Sequence, residues 1–278
     1  MKHAVMIIGY GKGNIVQRTI SILDDKDIDF YIHWDARHKL PQLYSIKSKI
    51  FWVNDRLKVK WGSYTLIQAT LKLMKQVHQS SCTYSYIHLI SSNDVPLMAA
   101  NYFKNFFRDD VYLGFRHPVG KKLIERINFY YPHNIDYRKH PFVRRGFILL
   151  NRILRINRLS KKEKMSLKKG PEWFSIKYEY MLEVLNSNRL NQFKYALCAD
   201  EMLAQTILSR FDTNCDIEEN TQAARYINWK DGASSPCTLT IEDYPNLKKI
   251  INTKYAFARK IEDVKVAKLL HDAISQKE

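Results

Sequence analysis

The run Cys198-Ala199-Asp200-Glu201-Met202-Leu203-Ala204-Gln205-Thr206-Ile207 sets two acids side by side at the opening of an apolar-periodic stretch, in a chain dominated by positive charge. Asp200 is expected to be the N-cap of a helix, its carboxylate accepting amide hydrogens of the first turn. Glu201 would then stand at the helix entrance, where the dipole favours an ionised carboxylate. A carboxylate fixed on a rigid element can serve as a general base. The plain alternative is that both acids only cap a surface helix.

Other residue types in the chain could handle phosphate or a sugar. Arg259 and Lys260 follow the apolar anchor Tyr255-Ala256-Phe257-Ala258. Such a pair can neutralise a diphosphate through charge-assisted hydrogen bonds, although it also reads as two surface cations among 45. Asp25, Asp27 and Asp29 have the D-x-D spacing used to hold a divalent cation, but they precede their strand, so a helix-to-strand turn is expected there. Ser91-Ser92-Asn93-Asp94 supplies a single acid where a metal-binding pair would belong. If a diphosphate is handled, a basic side chain must replace the metal. Gly9-Tyr10-Gly11-Lys12-Gly13-Asn14 has Asn where a dinucleotide fingerprint needs its third glycine, so a flexible turn is expected. The five tryptophans are Trp34, Trp52, Trp61, Trp173 and Trp229; each can pack in a core or stack on a base or a sugar.

These side chains need elements to position them. Apolar runs predict strands at His3–Ile8, Ile28–Trp34, Ile50–Val53, Leu57–Trp61, Tyr84–Ile90 and Val111–Phe115. Helical spacing appears at Ile15–Leu23 and Thr65–Val77. Strand and helix alternating in this way predict an α/β fold with a mostly parallel central sheet and flanking helices. Ligands of such sheets bind beyond the carboxyl ends of the strands, which is where Asp35 and Asp94 fall. In the second half, residues 138–169 hold twelve Lys or Arg and one acid, Glu163. Around 143–159, Arg145, Arg152 and Arg155 share one side of a helical wheel, and Leu149, Leu150, Ile153, Leu154 and Ile156 the other. Two readings stay open for that segment: a helix lying on an anionic bilayer, or a core-facing helix with a solvated basic face.

Composition bounds the rest. With 278 residues and 45% hydrophobic side chains, the chain can build a substantial core. The net charge of +17 points to an anionic partner: nucleic acid, a phosphate-bearing ligand or an acidic membrane. Four dispersed cysteines, with no CxxC pair, fit a reduced cytoplasmic setting. No window reaches the ~18 apolar residues of a membrane span. A soluble or peripheral protein at the inner membrane face is expected.

Taken in order, several short blocks resemble one family. They are Ile32-His33-Trp34-Asp35, Val59-Lys60-Trp61-Gly62-Ser63, Ser91-Ser92-Asn93-Asp94-Val95-Pro96-Leu97, Glu172-Trp173-Phe174-Ser175, Asp200-Glu201, Ala224-Arg225-Tyr226-Ile227-Asn228-Trp229 and Phe257-Ala258-Arg259-Lys260. The set resembles glycosyltransferase family 14, the core-2 and I-branching β-1,6-N-acetylglucosaminyltransferases and peptide O-xylosyltransferases, with bacterial members. The resemblance implies a single GT-A-like domain over 1–278, with a nucleotide-sugar half at about 1–117 and an acceptor and catalytic half at about 118–278. It implies an inverting transfer from a UDP-sugar, GlcNAc first and xylose as the alternative, to a glycan hydroxyl in cell-surface polysaccharide synthesis, with no cofactor and no metal.

By matching position, Glu201 would be the base, and Arg259 and Lys260 would hold the diphosphate. Asp35, Trp61, Gly62 and Asp94 would line the donor site, and Trp173 and Trp229 the acceptor site. The family's second diphosphate-binding Arg has no counterpart in Ser235–Thr240, which leaves Lys230 or Arg225 as substitutes. Given the basic segment at 143–169, a lipid-linked acceptor and peripheral contact with an anionic membrane are expected. The rival from another class is a basic nucleic-acid-binding protein, which the charge permits but no zinc-finger, RNP-like or basic-leucine pattern supports. No nucleic-acid partner is expected.

Overall fold

The computed structural model describes residues 1–213, 215–229 and 235–277. Nine strands are defined among them: β1 (His3–Gly9), β2 (Ile28–Trp34), β3 (Ile50–Trp52), β4 (Tyr86–Ser91), β5 (Asp94–Pro96), β6 (Val111–Tyr112), β7 (Ser175–Lys177), β8 (Arg225–Ile227) and β9 (Phe257–Arg259). The central sheet has the order β3-β2-β1-β4-β7-β6. Its first four strands are parallel, and β7 runs antiparallel to both β4 and β6. The expected α/β architecture with a mostly parallel sheet is what the chain forms.

Every residue of β1, β2 and β4 is buried, as a sheet covered on both faces requires. One face packs on the helices Asn14–Ile22 and Val264–Ser275, the other on Tyr64–His78 and Tyr178–Leu185. Both cores draw side chains from before and after residue 117, so neither half has a core of its own. Register then fixes the site. Gly9 pairs with Trp34, and Ile8 with Ser91, so the chain leaves β1, β2 and β4 at one sheet edge, carrying Tyr10, Asp35 and Ser92.

A second sheet, β5-β9-β8, sits at that edge. It pairs Asp94 with Arg259 across an antiparallel ladder, and runs β8 parallel to β9. These strands are three residues each, too short to show a period in the sequence.

Two expectations need correction. Leu57–Trp61 forms no strand. Side chains of the neighbouring strand meet its amides instead: Leu57 N–H donates to His33 Nε2 at 3.0 Å, and Val59 N–H to Asp35 Oδ2 at 3.1 Å. The segment therefore joins no ladder. The basic helix runs over Pro141–Ile153, not to 159, and Arg155 turns left-handed just beyond it. The Asp25–Asp27 spacing is indeed a turn, in which Asp25 Oδ1 accepts from Asp27 N–H at 2.8 Å and Lys104 pairs with Asp25. Among the described residues, no helix is long and apolar enough to cross a membrane.

Candidate active site

A cleft of about 1650 Å³ opens at the carboxyl edge of the sheet. Its wall includes Asp35, Trp61, Trp173, Glu201, Trp229, Arg259 and Lys260.

Glu201 closes a 3₁₀ turn, Ala199–Glu201, entered through Cys198 in the left-handed region at φ 48°. Asp200 makes no capping hydrogen bond, which corrects the N-cap expectation. The following helix, Leu203–Ile207, starts only after Met202, so Asp200 lies inside the preceding turn. The left-handed entrance aims Glu201 at the cleft, where its side chain is 34% exposed. Arg126 Nη1 donates to Glu201 Oε2 at 2.9 Å, and Lys169 Nζ lies 3.8 Å from the same oxygen. The Glu201 carboxylate is thereby oriented while still open to a substrate.

Two further acids crowd Glu201. Glu172 Oε1 and Asp200 Oδ1 are buried and have no hydrogen-bond partner among the described residues. Burial, reinforced by the Asp200 charge, pushes Glu172 well above the usual carboxyl range, although Arg259 opposes the shift. Burial and the Glu201 charge raise Asp200 to about 7. Both therefore hold protons more tightly than a free carboxyl, a perturbation typical of functional clefts.

Arg259 is clamped from three directions. Its Nη1 donates to Asp94 Oδ1 at 2.8 Å and to Ser91 Oγ, and its guanidinium lies 4.4 Å from the Trp173 ring centre. Asp94 is almost fully buried and stands behind the wall, reaching the cleft through Arg259. Lys260 is in the wall and pairs with Glu262 at 2.6 Å.

The segment Gly170–Trp173 links these cations to Glu201. Gly170 N–H donates to the Glu201 carbonyl at 2.9 Å, and Trp173 lies under Arg259. Three residues of chain span at most ~11 Å, which bounds that link. Glu172, inside it, feels the charges of Asp200, Arg259 and Glu201.

The remaining expected residues are placed as follows. Asp35 follows β2 in the wall; despite the cost of burial, the Arg37 guanidinium and the Val59 amide hold it below the usual carboxylate range. Trp61 is in the wall, with the Arg138 guanidinium 4.6 Å from its ring centre. Gly62 lies behind it at φ 70°, its carbonyl accepting from Cys198 N–H at 2.9 Å, so that it seats the Trp61 loop on the Glu201 turn. Trp173 lies against the Arg259 guanidinium, and Trp229 is 46% exposed at the rim.

Arg225 is not a substitute for the second diphosphate cation. It is fully buried, donates to the carbonyls of Ala223 and Phe174, and burial lowers it to about 9. Lys230 lies outside the described residues. Sequence reasoning missed Arg126 and Lys169. Arg126 sits on an ordinary helix, Lys121–Asn128, and carries no signal; Lys168-Lys169-Gly170-Pro171-Glu172, basic then acidic just ahead of Trp173, was the available hint.

A family model described as Core-2/I-Branching enzyme matches residues 4–249. The chain belongs to this glycosyltransferase family. The match covers every block of the resemblance except Phe257–Lys260, so the assignment of the cation pair rests on its position in the cleft. No curated protein matches the chain. Membership makes the protein an enzyme that moves a sugar from a donor to a glycan acceptor, and it favours that reading of the charge surplus over nucleic-acid binding.

Proposed function

We propose that this glycosyltransferase transfers a sugar, GlcNAc first among the candidates and xylose as the alternative, from a UDP-sugar to a hydroxyl of a cell-surface glycan, with inversion and without a metal ion. Glu201 takes the proton of the acceptor hydroxyl as its oxygen bonds to the anomeric carbon. The bond from that carbon to the diphosphate oxygen breaks on the opposite face, and the leaving UDP carries the electron pair away. Arg259 and Lys260 meet the charge that develops on it.

One observation carries this reading. A partly exposed carboxylate and a braced guanidinium line a single cleft, joined by the Gly170–Trp173 segment. Arg126 and Lys169 orient Glu201, and Asp94, Ser91 and Trp173 fix Arg259. Preorganised charge of this kind costs no rearrangement during the reaction.

Glu201→Gln keeps the shape of the side chain but cannot accept the proton. Its turnover should fall by roughly 10²–10⁴-fold while UDP affinity, read by calorimetry, stays within about twofold. A variant retaining more than a tenth of wild-type turnover removes Glu201 from the role of base. EDTA should leave the transfer rate unchanged, because cations of the chain take the place of a divalent ion at the diphosphate. A strict requirement for added Mn²⁺ would refute the metal-free reading.

A further inference from the structure

The helix Pro141–Ile153 has three differently used sides. Towards the cleft it presents Arg144, Arg145 and Arg152. Towards the body it packs Phe147 and Ile148 on the small cluster around Tyr131, Tyr137 and Leu197. Asn151 is buried there and exchanges hydrogen bonds with the backbone of Tyr130 at 2.7 and 3.0 Å. The third side has no cover. Phe142 is 79% exposed, Leu149 60%, Ile153 67% and Leu154 59%, with Val143 and Leu150 beside them.

This distribution narrows the core-facing reading of the segment to Phe147 and Ile148. The other large apolar side chains point to solvent, and the polar Asn151 is the one residue of the helix that is fully buried. So large a contiguous apolar face marks a docking site. Its surroundings indicate what docks. Residues 138–169 carry twelve Lys or Arg against Glu163 alone, and Glu163 is committed to capping Ser160 at 2.7 Å. Arg155, Lys161 and Lys162 are exposed near by in the chain. A second copy, itself at +17, would meet like charge. A surface that offers acyl chains beneath anionic headgroups satisfies both features at once.

We propose that the outer face of the Pro141–Leu154 helix seats the enzyme on an anionic lipid bilayer, so that the adjoining cleft receives an acceptor borne by a membrane lipid. Arg144 and Arg145 form no ion pair with an acid among the described residues, and they face the cleft. They would meet a phosphate linking glycan to lipid. The acceptor part rests on the proposed function; the docking does not.

The test uses the full chain and vesicles of phosphatidylcholine with or without phosphatidylglycerol. Wild-type protein should float with phosphatidylglycerol vesicles and release in high salt, binding pure phosphatidylcholine at least about tenfold more weakly. Leu149→Glu/Ile153→Glu should lose at least about tenfold of that binding, with melting temperature and UDP affinity unchanged, because neither side chain touches the core or the cleft. Failure of the wild type to float overturns the proposal. So does binding that the double substitution leaves intact, which would be charge attraction alone. Concentration-dependent dimerisation that the same substitutions abolish, without vesicle binding, assigns the face to a second copy and equally overturns it. Transfer to a short soluble glycan separates the two readings: if Glu201→Gln remains active while flotation holds, the catalytic assignment fails and the docking stands.

Discussion

Asp200 and Glu172 each keep a buried carboxylate oxygen without a hydrogen-bond partner among the described residues, next to the partly exposed Glu201. An arrangement that raises an acid's affinity for protons costs stability once the proton leaves. Asp200 has an ordinary value of 3.8 and is raised to about 7 in the folded state, by burial first and then by the Glu201 charge. Below pH 3.8 both states are protonated, so nothing is lost. Between 3.8 and 7 the folded chain binds a proton that the unfolded chain has released, so stability falls as pH rises, and the penalty is complete above 7. Asp200→Asn should therefore raise the melting temperature at pH 8 by a few degrees and by less at pH 5, as calorimetry would show. An unchanged or lower value at pH 8 would mean that the carboxylate is held by something other than burial. At this scale the sequence was legible where a residue type is rare in its context: an acidic pair amid excess positive charge, or a cation pair after an aromatic anchor. It was silent on Arg126, whose importance comes only from the fold bringing its helix to Glu201.

Elements defined by their own backbone ladders could be read from apolar runs, and β1, β2 and β4 appear where those runs are. Elements held by side chains could not. Leu57–Trp61 has the composition of a strand, yet His33 and Asp35 supply its acceptors, and nothing in a local pattern distinguishes a ladder carbonyl from an imidazole. The three-residue strands β5, β8 and β9 escape for a different reason: no period can be established over so short a run. Gly62 shows what the Leu57–Trp61 loop depends on. At φ 70° a side chain is disfavoured, and a Cβ there would lie 3.1 Å from Cys198 Sγ and 3.5 Å from Leu197 Cδ1. Gly62→Ala should cost about 1–2 kcal/mol in backbone strain, or roughly 2–8 °C in melting temperature. Because the same contact seats Trp61 on the Glu201 turn, turnover should also drop. A variant with wild-type stability would show that the loop can shift without loss.

For the whole molecule, two groups of buried residues pull the pH response in opposite directions. Burial lowers His3 and His33 from 6.5 to about 4 and holds His88 well below its ordinary value. From pH 6.5 down to about 4 the unfolded chain gains protons that these imidazoles refuse, so each of them withdraws stability as pH falls. Asp200 withdraws it as pH rises to about 7, and Glu172 and Glu219, both raised by burial, act in the same direction. The α/β class was legible because the central sheet is buried on both faces and its runs are long. The placing of β7 between β4 and β6 was not, since it depends on pairings between distant parts of the chain. That placing has a consequence for inhibitor design. Gly170–Trp173 runs straight into β7, which the central sheet grips on both edges, so one anchored segment carries both the hydrogen bond to the Glu201 turn and the ring under Arg259. A bisubstrate compound with a stiff spacer of matching length would find its two anchor points on one braced support.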